Sequence, residues 1–136
     1  MNETFNPENK EKLSKRVLVA EDTTETREML CDLLESQGFK VDAVENGQLL
    51  LNNLFEGKVK YDLVITDNNM PTETGDGITG IEVLKKIRGK NSLSDLPVVV
   101  FSGDIWIEKD VERLGGTFLS KPDILKLQKI TETILG

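Results

Sequence analysis

The chain has 136 residues, of which 30% are charged and 38% hydrophobic, with a net charge of −7 and no apolar run longer than five. That size supports one domain around one core, and the short apolar runs exclude a bilayer-spanning helix. The acidic balance, with never more than two Lys or Arg side by side, argues against nucleic-acid binding, whose affinity comes mainly from phosphate neutralisation.

Residues 1–15 are polar and mixed in charge, with no apolar stretch of the kind a secretion signal needs. They read as a tail or linker ahead of a domain over 16–136. The single cysteine, Cys31, rules out a disulfide framework and suggests a reducing cytoplasm. The absence of histidine removes Ser-His-Asp chemistry and His-ligated zinc.

From Arg16 onward short apolar strands alternate with helix-period segments. Arg16–Ala20 predicts the first strand. Thr23–Gln37 predicts a helix, with Met29, Leu30, Leu33 and Leu34 on one face and Gly38 as its stop. Val41–Val44 is the second strand, and Asn46-Gly47 opens a helix carrying Leu50, Leu51 and Leu54. Leu63–Thr66 is the third, followed by a Gly-rich loop and a helix over Ile81–Arg88 with Ile81, Leu84 and Ile87 inward. Pro97–Phe101 is apolar enough to be buried on both faces. A short helix over Lys109–Leu114 ends at Gly115-Gly116, Thr117–Leu119 is the fifth strand, and Pro122 opens a last helix to Leu135. Five β-α units imply an α/β fold, a parallel sheet with helices on both faces.

In such a sheet all strands end on one side, where open α/β folds place their chemistry. Those ends carry Glu21-Asp22, Asp67, Ser102 and Lys121. Clustered carboxylates repel and call for a cation, and a hard ion such as Mg²⁺ suits carboxylates, a backbone carbonyl and waters. The Lys121 ammonium and Ser102 hydroxyl add donors suited to phosphoryl oxygens, with Asp67 as a possible nucleophile. Each residue also has a plain reading. Asp67 could be a turn former, and Asp22 could cap the first helix with Glu25 in a capping box. Ser102 could simply start a loop, and Lys121 could be a solvated charge. Four strand ends carrying complementary groups are not expected by accident.

The stretches Val17–Asp22, Glu35–Phe39, Glu45–Gly47, Tyr61–Asp67 with Met70-Pro71, Ser102-Gly103 and Phe118–Pro122 resemble, in order, the receiver domain of two-component response regulators. The resemblance covers residues 16–135 and implies the flavodoxin-like, CheY-like doubly wound (βα)5 fold with a five-stranded sheet. It implies a phosphoacceptor at Asp67, which would also be a metal ligand. Mg²⁺ (or Mn²⁺) would be held with Asp22, with Glu21 through water and with the backbone carbonyl of Asn69. Lys121 and Ser102 would contact the phosphoryl oxygens, and Phe118 would be the aromatic switch partner of Ser102. The peptide before Pro122 would be cis. The phosphoryl donor would be a sensor histidine kinase or a histidine phosphotransfer protein. Output would use the face of the fourth helix, fifth strand and fifth helix. The domain would catalyse only its own phosphorylation and autodephosphorylation, in the cytoplasm, with no direct nucleic acid or membrane partner.

Two stretches depart from the family pattern. The Thr72–Thr79 loop is enlarged beside Asp67, either as a tolerated insertion or as a modifier of docking and dephosphorylation. The Ser102–Lys121 stretch is short, which predicts a stunted fourth helix with Ile105, Trp106 and Ile107 near its start. Trp106 would either face a partner or pack under the loop. The loop's Gly75-x-Gly77-x-x-Gly80 does not follow a strand directly, as a dinucleotide fingerprint must, and an EF-hand alignment puts Val83 where an acid is needed. A phosphatase of the haloacid dehalogenase type would need an acid at Asn69. A degenerate receiver that only binds partners is disfavoured by the complete Glu21, Asp22, Asp67, Ser102, Lys121 set.

Overall fold

The computed structural model describes residues 15–70, 77–121 and 123–136. Expectations for the tail, for most of the enlarged loop and for the peptide before Pro122 lie outside those residues. Five strands, β1 (Arg16–Ala20), β2 (Lys40–Val44), β3 (Leu63–Asp67), β4 (Val98–Ser102) and β5 (Thr117–Ser120), form one sheet in the order β2-β1-β3-β4-β5. Every pairing is parallel. Helices α1 (Thr24–Ser36), α2 (Gly47–Glu56), α3 (Gly80–Arg88), α4 (Glu108–Arg113) and α5 (Ile124–Leu135) complete the (βα)5 pattern expected of the chain.

Side chains alternate across a pleated strand, and that alternation builds two cores. Leu18, Val64, Val98 and Val100 pack with Leu50, Leu51, Leu54, Val83, Leu84, Ile87 and Val111 beneath α2, α3 and α4. Val17, Val19, Leu63, Ile65, Val99, Phe101 and Leu119 pack with Leu30, Leu34 and Leu127 beneath α1 and α5. β3 and β4 are buried at every position, which explains their near-unbroken apolar character. The edge strand β2 tolerates Lys40 and Asp42 because part of it faces water.

Helix ends follow local chemistry. Gly38 closes α1 at φ +99°, a conformation that costs glycine little, and its N–H donates to the Glu35 carbonyl at 2.9 Å. The Asn46 side chain accepts the Leu49 N–H at 2.9 Å and caps α2. Thr79 and Glu82 form a full capping box, so α3 starts at Gly80, one residue before the expected Ile81. The fourth helix is stunted as expected: a 3₁₀ turn over Ile105–Ile107 leads into only six residues of α4. One expectation needs correction. The last helix is capped by Asp123, whose Oδ1 accepts the Lys126 N–H at 3.0 Å, and its first residue is Ile124 rather than Pro122. A carboxylate can satisfy an orphan helix N–H, which a proline ring cannot.

On the edge strand β2, Asp42 collects two donors. The Tyr61 hydroxyl donates to Asp42 Oδ2 at 2.6 Å, and Arg16 Nη1 donates to the same oxygen at 3.3 Å. The Arg16 N–H donates to Asp62 Oδ2 at 2.9 Å, so the lead-in to β3 is tied to β1. Burial and the bond to Asp42 push the Tyr61 phenol up to about 12. A raised folded value favours the protonated phenol. That contribution is fully present below the ordinary value near 10 and is lost as pH rises toward 12. Tyr61→Phe should cost about 1 kcal/mol in urea at neutral pH. The wild-type advantage over Tyr61→Phe should shrink between pH 10 and 12. A difference that stays constant across that range would disprove the coupling.

Candidate functional site

The topological reversal at β1 leaves the carboxyl ends of β1 and β3 side by side, with Ala20 in register with Thr66. Glu21 and Asp22 follow β1 directly, and Asp67 is the last residue of β3. One carboxylate oxygen from each of Glu21, Asp22 and Asp67 lies within 4.8 Å of the others. Glu21 is 1% exposed and Asp67 6%, while Asp22 opens to solvent. Among the described residues this is the one cluster of such side chains.

Lys121, just beyond β5, supplies the opposing charge. Its Nζ lies 2.9 Å from Glu21 Oε1 and 3.0 Å from Asp67 Oδ2, and 5.4 Å from the centre of the Phe101 ring. Burial alone would lower the ammonium's pKa, but its bonds to Glu21 and Asp67 outweigh that and hold it above the ordinary lysine value. Asp22 is pushed up, first by desolvation and then by its hydrogen bond to Glu21 and that residue's charge. Three acids against one ammonium leave an excess of negative charge.

The approach segments are pinned from several sides. The Thr23 N–H donates to Glu21 Oε2 at 3.1 Å, and Thr23 caps α1 without a side-chain bond of its own. Asp22 is therefore not the helix cap, and its carboxylate is left for the cluster. Arg27 Nη1 donates to the carbonyls of Glu21 at 2.7 Å and Asp22 at 3.4 Å, bracing the turn. Beyond β3, the buried Asn68 side chain accepts the Ile81 N–H at 3.1 Å, and its carbonyl accepts the Gly80 N–H at 3.1 Å. A Cβ on Gly80 would sit 2.7 Å from the Asp67 carbonyl oxygen, so only glycine lets α3 come this close.

Neither Arg27 nor Asn68 was singled out by sequence reasoning. An Asn just after an apolar strand is a weak turn signal, and an Arg on the first turn of a helix is usually solvated.

Ser102 is fully buried at the end of β4, one residue beyond Phe101, the register partner of Asp67. Its Oγ accepts the Asp104 N–H at 3.0 Å, and its carbonyl accepts the Lys121 N–H at 3.0 Å. The Asn69 N–H donates to Asp67 Oδ1 at 3.3 Å. Phe118, paired with Val100 in β5, packs half-buried on the core beneath α2, α3 and α4. Trp106 is 76% exposed and Ile105 66%, whereas Ile107 is buried, so the tryptophan faces solvent.

A family model described as "Response regulator receiver domain" matches residues 17–132. The chain belongs to the response regulator receiver family. It is 32% identical over 109 residues to the two-component response regulator ORR5 of rice (Oryza sativa), covering 78% of this chain and 77% of that protein. It is 35% identical over 125 residues to the 3′,5′-cyclic-nucleotide phosphodiesterase regA of Dictyostelium discoideum, covering 88% of this chain but only 15% of that protein. Among solved structures, the response regulator TrrA of Thermotoga maritima, in complex with Mg(2+)-BeF, superposes with a TM-score of 0.77 at 29% identity. That match covers 90% of this chain and all of the TrrA chain. The protein is thus a phosphorelay signalling domain with the CheY-like fold, and its acid cluster fits a phosphoacceptor site. No helix among the described residues is long and apolar enough to cross a membrane.

Charge balance makes opposite predictions for two substitutions. Lys121→Met leaves the buried Glu21 without its cation and should cost about 1–3 kcal/mol in urea without divalent ions. Asp67→Asn loses one attraction at 3.0 Å but relieves repulsions from two acids, each across 4.8 Å or less. Asp67→Asn should therefore be at least as stable as wild type in the same buffer. Destabilisation of both variants to the same degree would contradict this balance.

Proposed function

We infer that Asp67 accepts a phosphoryl group, and that Glu21, Asp22 and the backbone carbonyl of Asn69 join Asp67 in holding Mg²⁺ or Mn²⁺. The observation that carries this reading is the set of three carboxylates within 4.8 Å with Lys121 bonded to two of them. The donor set is all oxygen, and the excess negative charge suits a hard divalent cation. When bound, that cation neutralises charge on the acids and on the phosphoryl oxygens.

The remaining work belongs to the chain. An Asp67 carboxylate oxygen forms the new bond to phosphorus as the donor's bond to phosphorus breaks. The electron pair of that bond leaves with a histidine nitrogen of the partner, or with acetate when acetyl phosphate is the donor. Lys121 Nζ, already 3.0 Å from Asp67 Oδ2, pairs with a phosphoryl oxygen once Asp67 is modified. The Ser102 hydroxyl donates to another, and Phe118 follows Ser102 inward. The modified state adds acceptor oxygens and charge at the sheet edge, so contacts differ between the two states, as a population shift requires.

Turnover is confined to the domain's own phosphorylation and the hydrolysis that reverses it. Membership of the receiver family supports a sensor histidine kinase or a histidine phosphotransfer protein as the phosphoryl donor, and the given chain has no histidine that could carry the group itself. The face made by α4, β5 and α5 carries the output to a downstream protein. The setting is the cytoplasm, with residues 1–15 as a tail or linker.

Incubation with acetyl phosphate and Mg²⁺ should add one acid-labile phosphoryl group to the wild type and none to Asp67→Asn, read by intact mass. An unmodified wild type, or an equally modified variant, overturns the assignment. Mg²⁺ at ten times its dissociation constant should stabilise the wild type by about 1.4 kcal/mol, visible as a raised thermal midpoint. Asp22→Asn should lose most of that shift, and retention of the full shift would remove Asp22 from the metal site.

A further inference from the structure

At the amino edge of the sheet, the end of the strands opposite Asp67, a cavity of about 250 Å³ opens between two segments. One is the loop that leads into β3, and the other is the 3₁₀ turn over Asn91–Leu93 that leads toward β4. Leu54, Tyr61 and Leu96, each less than a tenth exposed, form its floor, and Val59 and Leu93 line its walls. Val59 is 43% exposed, an apolar side chain set at the mouth.

The lining is held in place from behind. The Tyr61 hydroxyl is tied to Asp42 Oδ2 at 2.6 Å, and Arg88 Nη1 donates to the Leu96 carbonyl at 2.8 Å. The Leu93 N–H donates to the Lys90 carbonyl at 2.8 Å, and the Leu96 N–H to the Leu93 carbonyl at 3.1 Å. Filling such a cavity orders little that is not already ordered, which favours binding.

The rim is basic although the chain carries a net charge of −7. Lys58, Lys60 and Lys90 are all exposed around it. Lys90 Nζ lies 5.2 Å from the centre of the Phe55 ring, which brings the turn after α3 beside the end of α2. Residues 56–60 and 90–96 hold two acids, Glu56 and Asp95. Asp95 interacts with the Arg88 guanidinium, which leaves Glu56 against three lysines.

We propose that this groove docks an acidic segment of a partner protein, which seats one apolar side chain in the cavity and sets its carboxylates against Lys58, Lys60 and Lys90. Sites for small molecules run to about 300–1,000 Å³, so this cavity suits a single anchoring side chain better than a separate ligand. The anchor supplies most of the affinity, and the exposed lysines select and steer an acidic partner. The groove and the acid cluster lie at opposite ends of the strands, so a partner seated here leaves the carboxyl edge open for phosphoryl transfer. The proposal does not depend on Asp67 being the acceptor.

The test titrates the isotope-labelled full chain, unphosphorylated, with a short capped peptide of glutamates around a central phenylalanine. Amide shifts are followed by NMR. Saturable shifts are expected at Leu54, Val59, Tyr61, Leu93 and Leu96, with Glu21, Asp67 and Lys121 unmoved. A peptide with alanine in place of the phenylalanine should bind about ten-fold more weakly, because the cavity stays empty. The Lys60→Glu/Lys90→Glu double variant, changed only at exposed positions, should weaken the phenylalanine peptide by a similar factor. Added salt should weaken binding to wild type more than to that variant.

No saturable shift at millimolar peptide overturns the proposal, as do shifts centred on the carboxyl edge. Equal binding of the alanine peptide overturns the anchor. Shifts at these residues that grow with protein concentration alone assign the groove to a second copy of the chain instead. Shifts with vesicles of anionic lipid and none with the peptide assign it to a membrane surface. Every readout uses unmodified protein, so failure here and failure of phosphoryl uptake at Asp67 are told apart.

Discussion

Among the described residues Lys121 is the cation bonded to a cluster of three carboxylates, and the carboxyl edge of the sheet is organised around that imbalance. Glu21 is almost wholly buried, and a buried charge without a partner is costly. Lys121 gives it one, yet the same ammonium must also serve Asp67. One positive charge cannot compensate three negative ones, so the cluster is held together by the fold while its electrostatics favour a further cation. A site kept short of positive charge can respond to a divalent ion and to a phosphoryl group, because each changes the balance substantially.

The backbone takes up the cost of holding like charges close. Arg27 fastens the turn after β1 through its carbonyls, and Asn68 fastens the start of α3 to the end of β3. Gly80 permits that approach because any side chain would meet the Asp67 carbonyl. These contacts do not touch the reacting oxygens. They fix where the carboxylates sit, and pre-positioned charge is most of what phosphoryl transfer to an aspartate asks of a protein.

Rigid and adjustable parts are divided along the sheet. β3 and β4 are buried throughout and set the position of Asp67 and Ser102. The segment after Ser102 is different: a 3₁₀ turn and a six-residue helix, with Ile105 and Trp106 in solvent. Short helices with few buried residues open at low cost, so this is where a change at the cluster can be expressed.

The sequence alone carried the element order, the two-sided sheet and the five strand-end groups, because each follows from local periodicity and from all parallel strands ending on one side. Strand boundaries were legible to within a residue, since strand propensity and turn residues change abruptly there. The residues alone left Asp22 open between a helix cap and a metal ligand, and they gave no sign of the bond between the Asn69 and Asp104 side chains. Asp22 could as well have capped α1, and only the folded turn assigns that position to Thr23 and leaves the carboxylate to the cluster. Asn69 was read for its backbone carbonyl alone, and Asp104 was not read at all. They are 35 residues apart, and no short-range pattern encodes a bond between them. Whether Trp106 faced solvent or packed beneath the loop was likewise open, because exposure depends on how a short helix lies against the sheet. Periodicity and turn chemistry are local and can be read along the chain. Distances between loops on neighbouring strands arise only when the sheet closes its register, and the tertiary structure decided those.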